Sequence, residues 1–251
     1  MHKPKVNLFP RVQNKNLNVL YSNINSLRNR VQNLEWESTQ FPYPIDVIAV
    51  TETCLGPEIN MGELAIRGYE LFRNDRNVYG GGVAVYASND FETNIISLQS
   101  RSEAFFLKLS NRSCTLHLLT IYRPPNNNDP LLIPQLFDEV SELIDFDTSV
   151  LFVCGDFNFP QIDWVKWAST GKFNLCNPFL YKISELGLDQ HVFSPTHRLG
   201  NVLDLIFTNK AIVNNVNILH PVLSDHSIVV SELNLSFFFN FKQPRVYSLP
   251  I

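Results

Sequence analysis

The chain has no apolar run approaching the roughly 20 residues that a bilayer-spanning helix needs. That leaves no place for a membrane partner. It also has no C-x-x-C pair, no internal repeat of short period and no excess of basic charge. The four cysteines, Cys54, Cys114, Cys154 and Cys176, are scattered. Such spacing speaks against zinc sites and disulfide frameworks and for buried free thiols in a reducing compartment. A net charge of −4 argues against a protein whose whole surface binds nucleic acid. It leaves room for a local basic rim around an acidic site, because a bound divalent cation cancels carboxylate charge there. The first 16 residues carry Lys3, Lys5, Arg11 and Lys15 with no apolar stretch behind them, so they do not form a secretory signal. They read as a flexible leader. A single domain is expected over 17–240 and the start of a linker or truncated tail over 241–251.

What is present is a strand-rich pattern. Hydrophobic residues make up 45% of the 251 residues, enough for a large core, and the fifteen prolines mostly separate apolar runs. Strands are expected over 18–22, 45–50, 82–87, 104–110, 114–121, 149–154, 202–208, 213–219 and 226–235. Residues 45–50 are almost continuously apolar, as in a strand buried on both faces. The glycine triplet Gly80-Gly81-Gly82 marks a tight turn. Helices are expected over 26–37, with Leu27, Val31 and Leu34 in register, over 131–144, with Leu132, Leu136, Val140 and Leu143 on one face, and over 174–186, stopped by Gly187. Strands followed by helices, mixed with strand–strand neighbours, point to two packed sheets flanked by helices.

Polar side chains gather where these strands end. In Gly155-Asp156-Phe157-Asn158 the glycine is expected to turn the strand sharply. Asp156 and Asn158 would then share one side, as a pair that holds a water and a phosphate oxygen or as an Asx turn. Glu52 follows a buried run, where a carboxylate is costly without a cation, unless the strand end is solvated. Asn23 and Asn25 close the first strand, either orienting a carboxylate or phosphate or capping the helix that follows. Asp204 interrupts the apolar run Val202 to Phe207. Asp225-His226 opens the last strand, where His226 could be held charged by an acid or be a polar boundary residue. In Tyr122-Arg123-Pro124-Pro125 the hydroxyl could reach a phosphate and Arg123 could add charge, or the segment is a plain strand-to-loop transition.

Taken in order, Asn23-x-Asn25, Thr51-Glu52-Thr53, Ile121-Tyr122-Arg123-Pro124, Gly155-Asp156-Phe157-Asn158, Leu203-Asp204 and Ser224-Asp225-His226 resemble the endonuclease/exonuclease/phosphatase superfamily. More narrowly, the chain resembles the apurinic-type endonuclease domain of non-LTR (LINE-like) retrotransposons over residues 17–236. Gly80 to Tyr86, and Ser194-Pro195-Thr196-His197 followed by Asn201 to Ile206, are typical of insect and vertebrate lineages of such elements.

The resemblance implies a four-layered α/β sandwich with a Mg²⁺ site (Mn²⁺ as a substitute) at one edge. It makes Glu52 the main metal ligand, joined by Asp225 and by Asn25, which holds a position often filled by Asp in the repair enzymes. Asn23 would orient the site, Asp156 would align or deprotonate the attacking water, and Asn158 and Tyr122 would contact the scissile phosphate. Asp204 would orient His226, which would stabilise charge on that phosphate. Thr196 and Asn201 would lie near the DNA backbone, and Arg123 and Arg198 are the first arginines expected to meet phosphates. The implied activity is metal-dependent nicking of one DNA strand to leave a 3′-hydroxyl, in an intracellular, nuclear setting, with a reverse transcriptase domain as partner in a longer parent. No reverse transcriptase motif is present in this chain. Two other expectations share the motifs: a phosphoesterase of the superfamily acting on lipid, inositol phosphate or RNA, and a silent nucleic-acid-binding remnant.

Overall fold

The computed structural model describes residues 16–112, 114–170 and 175–234. The expected leader and tail lie outside these residues, except for Asn16, which already belongs to the first strand.

In chain order the strands of the first half are β1 (Asn16–Asn23), β2 (Val47–Thr51), β3 (Tyr69–Asn74), β4 (Val83–Ser88), β5 (Glu92–Ile95), β6 (Glu103–Ser110) and β7 (Thr115–Tyr122). The second half adds β8 (Leu151–Asp156), β9 (Ile162–Asp163), β10 (Ala168–Ser169), β11 (Asp189–Gln190), β12 (Asp204–Thr208), β13 (Val213–Leu219) and β14 (Ile228–Asn234). The α-helices are α1 (Leu27–Ser38), α2 (Leu132–Leu143) and α3 (Asn177–Glu185). None of the described helices is long and apolar enough to cross a membrane.

Twelve strands form two six-stranded mixed sheets, ordered β13-β14-β1-β2-β4-β3 and β11-β12-β8-β7-β6-β5. Each sheet holds one parallel pair, β1 with β2 and β7 with β8, joined by the crossover helices α1 and α2. Parallel neighbours require such a crossover.

The alternation of side chains divides the interior into three apolar layers. Val19, Tyr21, Val47 and Ala49 of the first sheet face Leu116, Leu118, Phe152 and Cys154 of the second. The intervening residues Leu20, Ile48 and Val50 point outward onto Leu27 and Leu34 of α1. Leu151, Val153, Leu205 and Phe207 point the other way, onto α2 and onto Phe179 and Ile183 of α3. This is the four-layered α/β sandwich, and it explains why the central strands read as unbroken apolar runs: both faces are covered.

Three sequence expectations change. On α2 the buried face is Ile133, Leu136, Phe137 and Val140, while Leu143 is exposed, so the helix is rotated toward its phenylalanine. Gly155 makes no turn; it lies inside β8, where a Cβ would stand 2.1 Å from the carbonyl oxygen of Ile121 on β7. Its lack of a side chain serves close strand approach. Five strands lie outside the expected ones: the edge strands β3 and β5, whose residues are half-buried or exposed and form no apolar run, and the two-residue β9, β10 and β11, too short to show a pattern.

Candidate active site

Strand register places the polar residues. Glu103, Tyr122, Asp156 and Asp204 are successive partners in one row across β6, β7, β8 and β12. In the facing sheet a second row runs through Asn23, Thr51, Val83 and Asn74 on β1, β2, β4 and β3. Side chains stitch the two rows together. Asn23 Nδ2 donates to Asp156 Oδ2 at 3.0 Å, and the Tyr122 hydroxyl donates to Glu52 Oε1 at 2.7 Å. The Tyr21 hydroxyl donates to Asp204 Oδ1 at 3.2 Å; its one proton is then spent, so the Thr51 hydroxyl 2.8 Å away is the donor to Tyr21.

Backbone strain concentrates here. Asn25, Ser26, Glu52, Cys54 and Asn158 all have positive φ, between 43° and 87°. Non-glycine residues rarely adopt this region, and they do so where surrounding bonds enforce it. The enforcing bonds are visible: Ile24, Ser26 and Leu27 amides donate to the carbonyls of Thr51, Glu52 and Thr53. The two strand ends thus continue side by side into loops that lift Glu52 to the rim.

At the centre Asp156 and Asp204 are fully buried, and with His226 they bring three ligand-type atoms within 4.8 Å of one another. His226 Nδ1 donates to Asp204 Oδ2 at 2.8 Å. Burial pushes the Asp156 carboxyl well above the usual range, and the neighbouring Asp204 charge adds to this, while His226 and the Asn23 amide pull the other way. Burial also works against a charged His226. The hydrogen bond and charge of Asp204, with the charges of Asp156 and Asp225, outweigh it and lift the imidazole to about 9.

The loop before β14 is pinned to the first sheet. Ser224 Oγ donates to the carbonyl of Asn23 at 2.5 Å and accepts from the His226 amide at 3.1 Å. Asp225 Oδ2 lies 3.3 Å from His197 Nε2 and 3.7 Å from Arg198 Nε. The Leu199 amide donates to His197 Nδ1, so Nε2 carries the proton that faces Asp225. Burial tends to raise the Asp225 carboxyl, but local hydrogen bonds, including that from His197, win and hold it low.

The structure thus brings together Asn23, Glu52, Tyr122, Asp156, Asp204 and His226, with Asp225 at their edge. Asn158 sits beside Asp156; its amide N–H donates to Asp156 Oδ1 at 3.1 Å and its Nδ2 donates to the Arg123 carbonyl at 2.9 Å. Asn25 is exposed at the rim, its backbone N–H on Asn23 Oδ1. Asn201 is half-buried and acts through its carbonyl, which accepts from the amides of Thr196 and His197.

Two expected substrate contacts need correcting. Arg123 is 3% exposed. Its Nη1 donates to the Asn158 carbonyl, its Nη2 to the Asn127 carbonyl, and its guanidinium lies 4.1 Å over the Phe159 ring. A guanidinium spent in this way braces the Asn158 loop and does not face a phosphate. Thr196 is fully buried, and its hydroxyl accepts from the amides of Leu203 and Asp204 at 3.1 and 3.0 Å. It positions Asp204. Arg198 does reach solvent, with 68% of its side chain exposed.

Sequence reasoning assigned no role to Tyr21, Thr51, Ser224 or His197. Tyr21 and Thr51 carry no signal apart from their strand positions. Ser224 and His197 stand within the quoted motifs, and their short spacing to His226 and Leu199 is the one clue available.

The residues suit a hard divalent cation. Glu52 offers a rim carboxylate whose Oε1 is held by Tyr122 and whose Oε2 accepts from no described group. No cluster of three Asp, Glu, His or Cys ligand atoms among the described residues includes Glu52. Mg²⁺ asks for little more, since it is usually held by one or two carboxylates with water and substrate phosphate completing the shell.

A model of the Endonuclease/Exonuclease/phosphatase family matches residues 16–226. No curated protein matches the chain. Solved structures of like fold include the endonuclease domain of TRAS1, a telomere-specific non-LTR retrotransposon, with TM-score 0.66 and 16% identity over 88% of this chain and 99% of that one. An AP endonuclease from Archaeoglobus fulgidus aligns with TM-score 0.69 and 16% identity, covering 87% and 99% of the two chains. A 3′-5′ exonuclease from Neisseria meningitidis aligns with TM-score 0.63 and 18% identity, covering 87% and 100%. At such identities the likeness is one of fold.

Proposed function

The chain belongs to the endonuclease/exonuclease/phosphatase family, and on that premise we propose that it is a Mg²⁺-dependent DNA endonuclease that nicks one strand and leaves a 3′-hydroxyl. The observation that carries this reading is the Asp156–Asp204–His226 cluster beside a rim carboxylate, Glu52. Phosphodiester hydrolysis needs a group to take a proton from water and a cation to meet charge on the phosphate, and the cluster contains both.

In this reading Asp156, aligned by the Asn23 amide, accepts the proton of the attacking water. Burial and the neighbouring Asp204 charge raise its carboxyl, which makes the ionised form a stronger base than an exposed aspartate. Asp204 keeps His226 protonated at Nδ1, which leaves the Nε2–H to donate to a non-bridging oxygen. Asn158 offers its second amide proton to the same phosphate. Glu52, with Asp225 and Asn25 as further oxygen donors, would hold a divalent cation, which would supply positive charge to the phosphate and the leaving oxygen. Tyr122 orients Glu52 through its hydroxyl. The DNA preference is supported by the names of the structural neighbours and by the Ser194 to Ile206 and Gly80 to Tyr86 motifs. Priming of reverse transcription in the nucleus, by a reverse transcriptase domain of a longer parent, belongs to the same reading.

The test is supercoiled plasmid incubated with and without Mg²⁺, beside RNA and a phosphoinositide. Nicked circles that a polymerase can extend, lost with chelator and restored by Mg²⁺ or Mn²⁺, are expected. Phosphate release from the phosphoinositide with intact plasmid would replace the DNA reading by a lipid one.

A further inference from the structure

The site is acidic, and Arg123, one of the two arginines expected to meet the substrate backbone, is buried. Another cation stands beside Tyr122. Arg76 lies in the turn between β3 and β4, with its Cζ 5.9 Å from the centroid of the Tyr122 ring. Tyr122 is the residue whose hydroxyl holds Glu52.

The arginine is clamped. Its Nε donates to the Gly80 carbonyl at 2.9 Å and its Nη1 to Glu103 Oε1 at 2.8 Å. Glu103 Oε2 in turn accepts from the Gly82 amide at 2.7 Å. Glu103 is also the row partner of Tyr122, so the clamp is anchored to the same row that carries Asp156 and Asp204. The glycine triplet makes the clamp possible. A Cβ at Gly80 would lie 2.8 Å from Arg76 Nη2, and one at Gly81 would lie 2.4 Å from its Cζ and 2.3 Å from Glu103 Oε2. Gly81 and Gly82 have φ of 69° and 86°, which glycine adopts without strain.

The clamp consumes Nε and one N–H of Nη1. The remaining Nη donors are outside it, and 38% of the side chain is solvent-exposed. A guanidinium fixed in this way has little rotamer freedom left to lose when an anion arrives. A brace for the turn alone would need no such exposure and no stacking over the ring next to the metal-binding carboxylate.

We propose that Arg76 binds a backbone phosphate of the substrate strand next to the cleaved one, on the Glu52 and Tyr122 side of the site. The inference rests on the nuclease reading above and assigns part of its substrate-binding surface. It also explains how a chain with a net charge of −4 holds a polyanion: the cation is preplaced at the site, where charge counts, and not spread over the surface.

The test compares wild type, Arg76→Ala, Arg76→Lys and Glu103→Gln on a fluorescent duplex across a KCl series, with nicking kinetics in Mg²⁺. Arg76→Ala is expected to raise KM about tenfold, the loss of one charge-assisted phosphate contact, with kcat lowered less. Its salt slope should flatten by about one phosphate contact. Arg76→Lys should restore the slope while leaving KM raised, and Glu103→Gln should raise KM with the slope kept. A merely structural arginine would lower thermal stability in all three and leave the salt slope at the wild-type value, which overturns the proposal. If Arg76→Ala fails to fold, Arg76→Gln, which keeps donors for Gly80 and Glu103, carries the same comparison. Wild type that nicks, with Arg76 variants unchanged in KM and slope, overturns this inference alone. Wild type that binds duplex without cutting overturns the nuclease reading and leaves Arg76 to the salt slope. Wild type that does neither overturns both.

Discussion

Asp204 Oδ2 accepts from His226 Nδ1 at 2.8 Å, and the carboxylate has no exposed surface. The aspartate comes from β12 in one sheet and the histidine from the loop that enters β14 in the other. Thr196 presents its hydroxyl to the Asp204 amide, and Ser224 presents its own to the His226 amide. Each partner is therefore held by a neighbour before the two meet. A buried carboxylate paired and hydrogen-bonded in this manner is costly to leave alone.

Because the pair acts as a unit, losses should not add. Asp204→Asn and His226→Ala are each expected to lower kcat by roughly two orders of magnitude, and the double variant by little more than the worse single one. Single-turnover nicking under saturating Mg²⁺ reads this directly. A double variant whose loss equals the product of the singles would break the pairing argument.

The same contact sets a pH dependence. His226 is lifted from its ordinary 6.5 to about 9 in the folded protein. A folded value above the unfolded one means that the bound proton stabilises the native state. That contribution is fully present below pH 6.5 and is lost as pH rises through 9. Histidine NMR titration of the metal-free protein should place the His226 midpoint well above those of exposed histidines. Asp204→Asn should bring it down; a midpoint unmoved by that change would remove Asp204 as the cause.

Gly155→Ala should act on the scaffold. The new Cβ meets the Ile121 carbonyl at 2.1 Å, one pair before Tyr122 and Asp156 end the parallel β7–β8 ladder. Overpacking of this kind costs about 1–3 kcal/mol, and the strand separation it forces moves Tyr122 against Asp156. A urea midpoint lowered together with activity is expected. A wild-type midpoint would show that the two strands can part freely.

Arg123→Ala is the counterpart of the Arg76 variants. It strips the Asn158 and Asn127 carbonyls of their donor and leaves a gap over Phe159. Removing such a buried group should cost about 2–3 kcal/mol of stability, with the salt slope of DNA binding unchanged. Flattening of that slope would return Arg123 to the substrate surface.

The central strands were legible from sequence because each is covered on both faces, and unbroken apolar runs such as Val47 to Val50 follow from that alone. The site segments were legible for a related reason: a carboxylate such as Glu52 or Asp204 at the margin of an apolar run needs a partner, and four such segments in order, Glu52, Asp156, Asp204 and Asp225, imply a common one. Pattern along the chain could not say which partner. Asp204 meets His226, Asn23 meets Asp156 and Tyr122 meets Glu52 because strand register and sheet stacking bring residues 22, 133 and 70 positions apart into bonding distance. The weakly apolar edge strands β3 and β5 are likewise strands because a neighbour supplies their hydrogen bonds. Whether an arginine faces solvent or protein is decided in the same way. Arg123 and Arg76 are both charged residues near strand ends, and neighbouring carbonyls turn one inward, while Glu103 and three glycines hold the other at the rim. Local sequence sets which groups must be satisfied; the packing of the two sheets chooses what satisfies them.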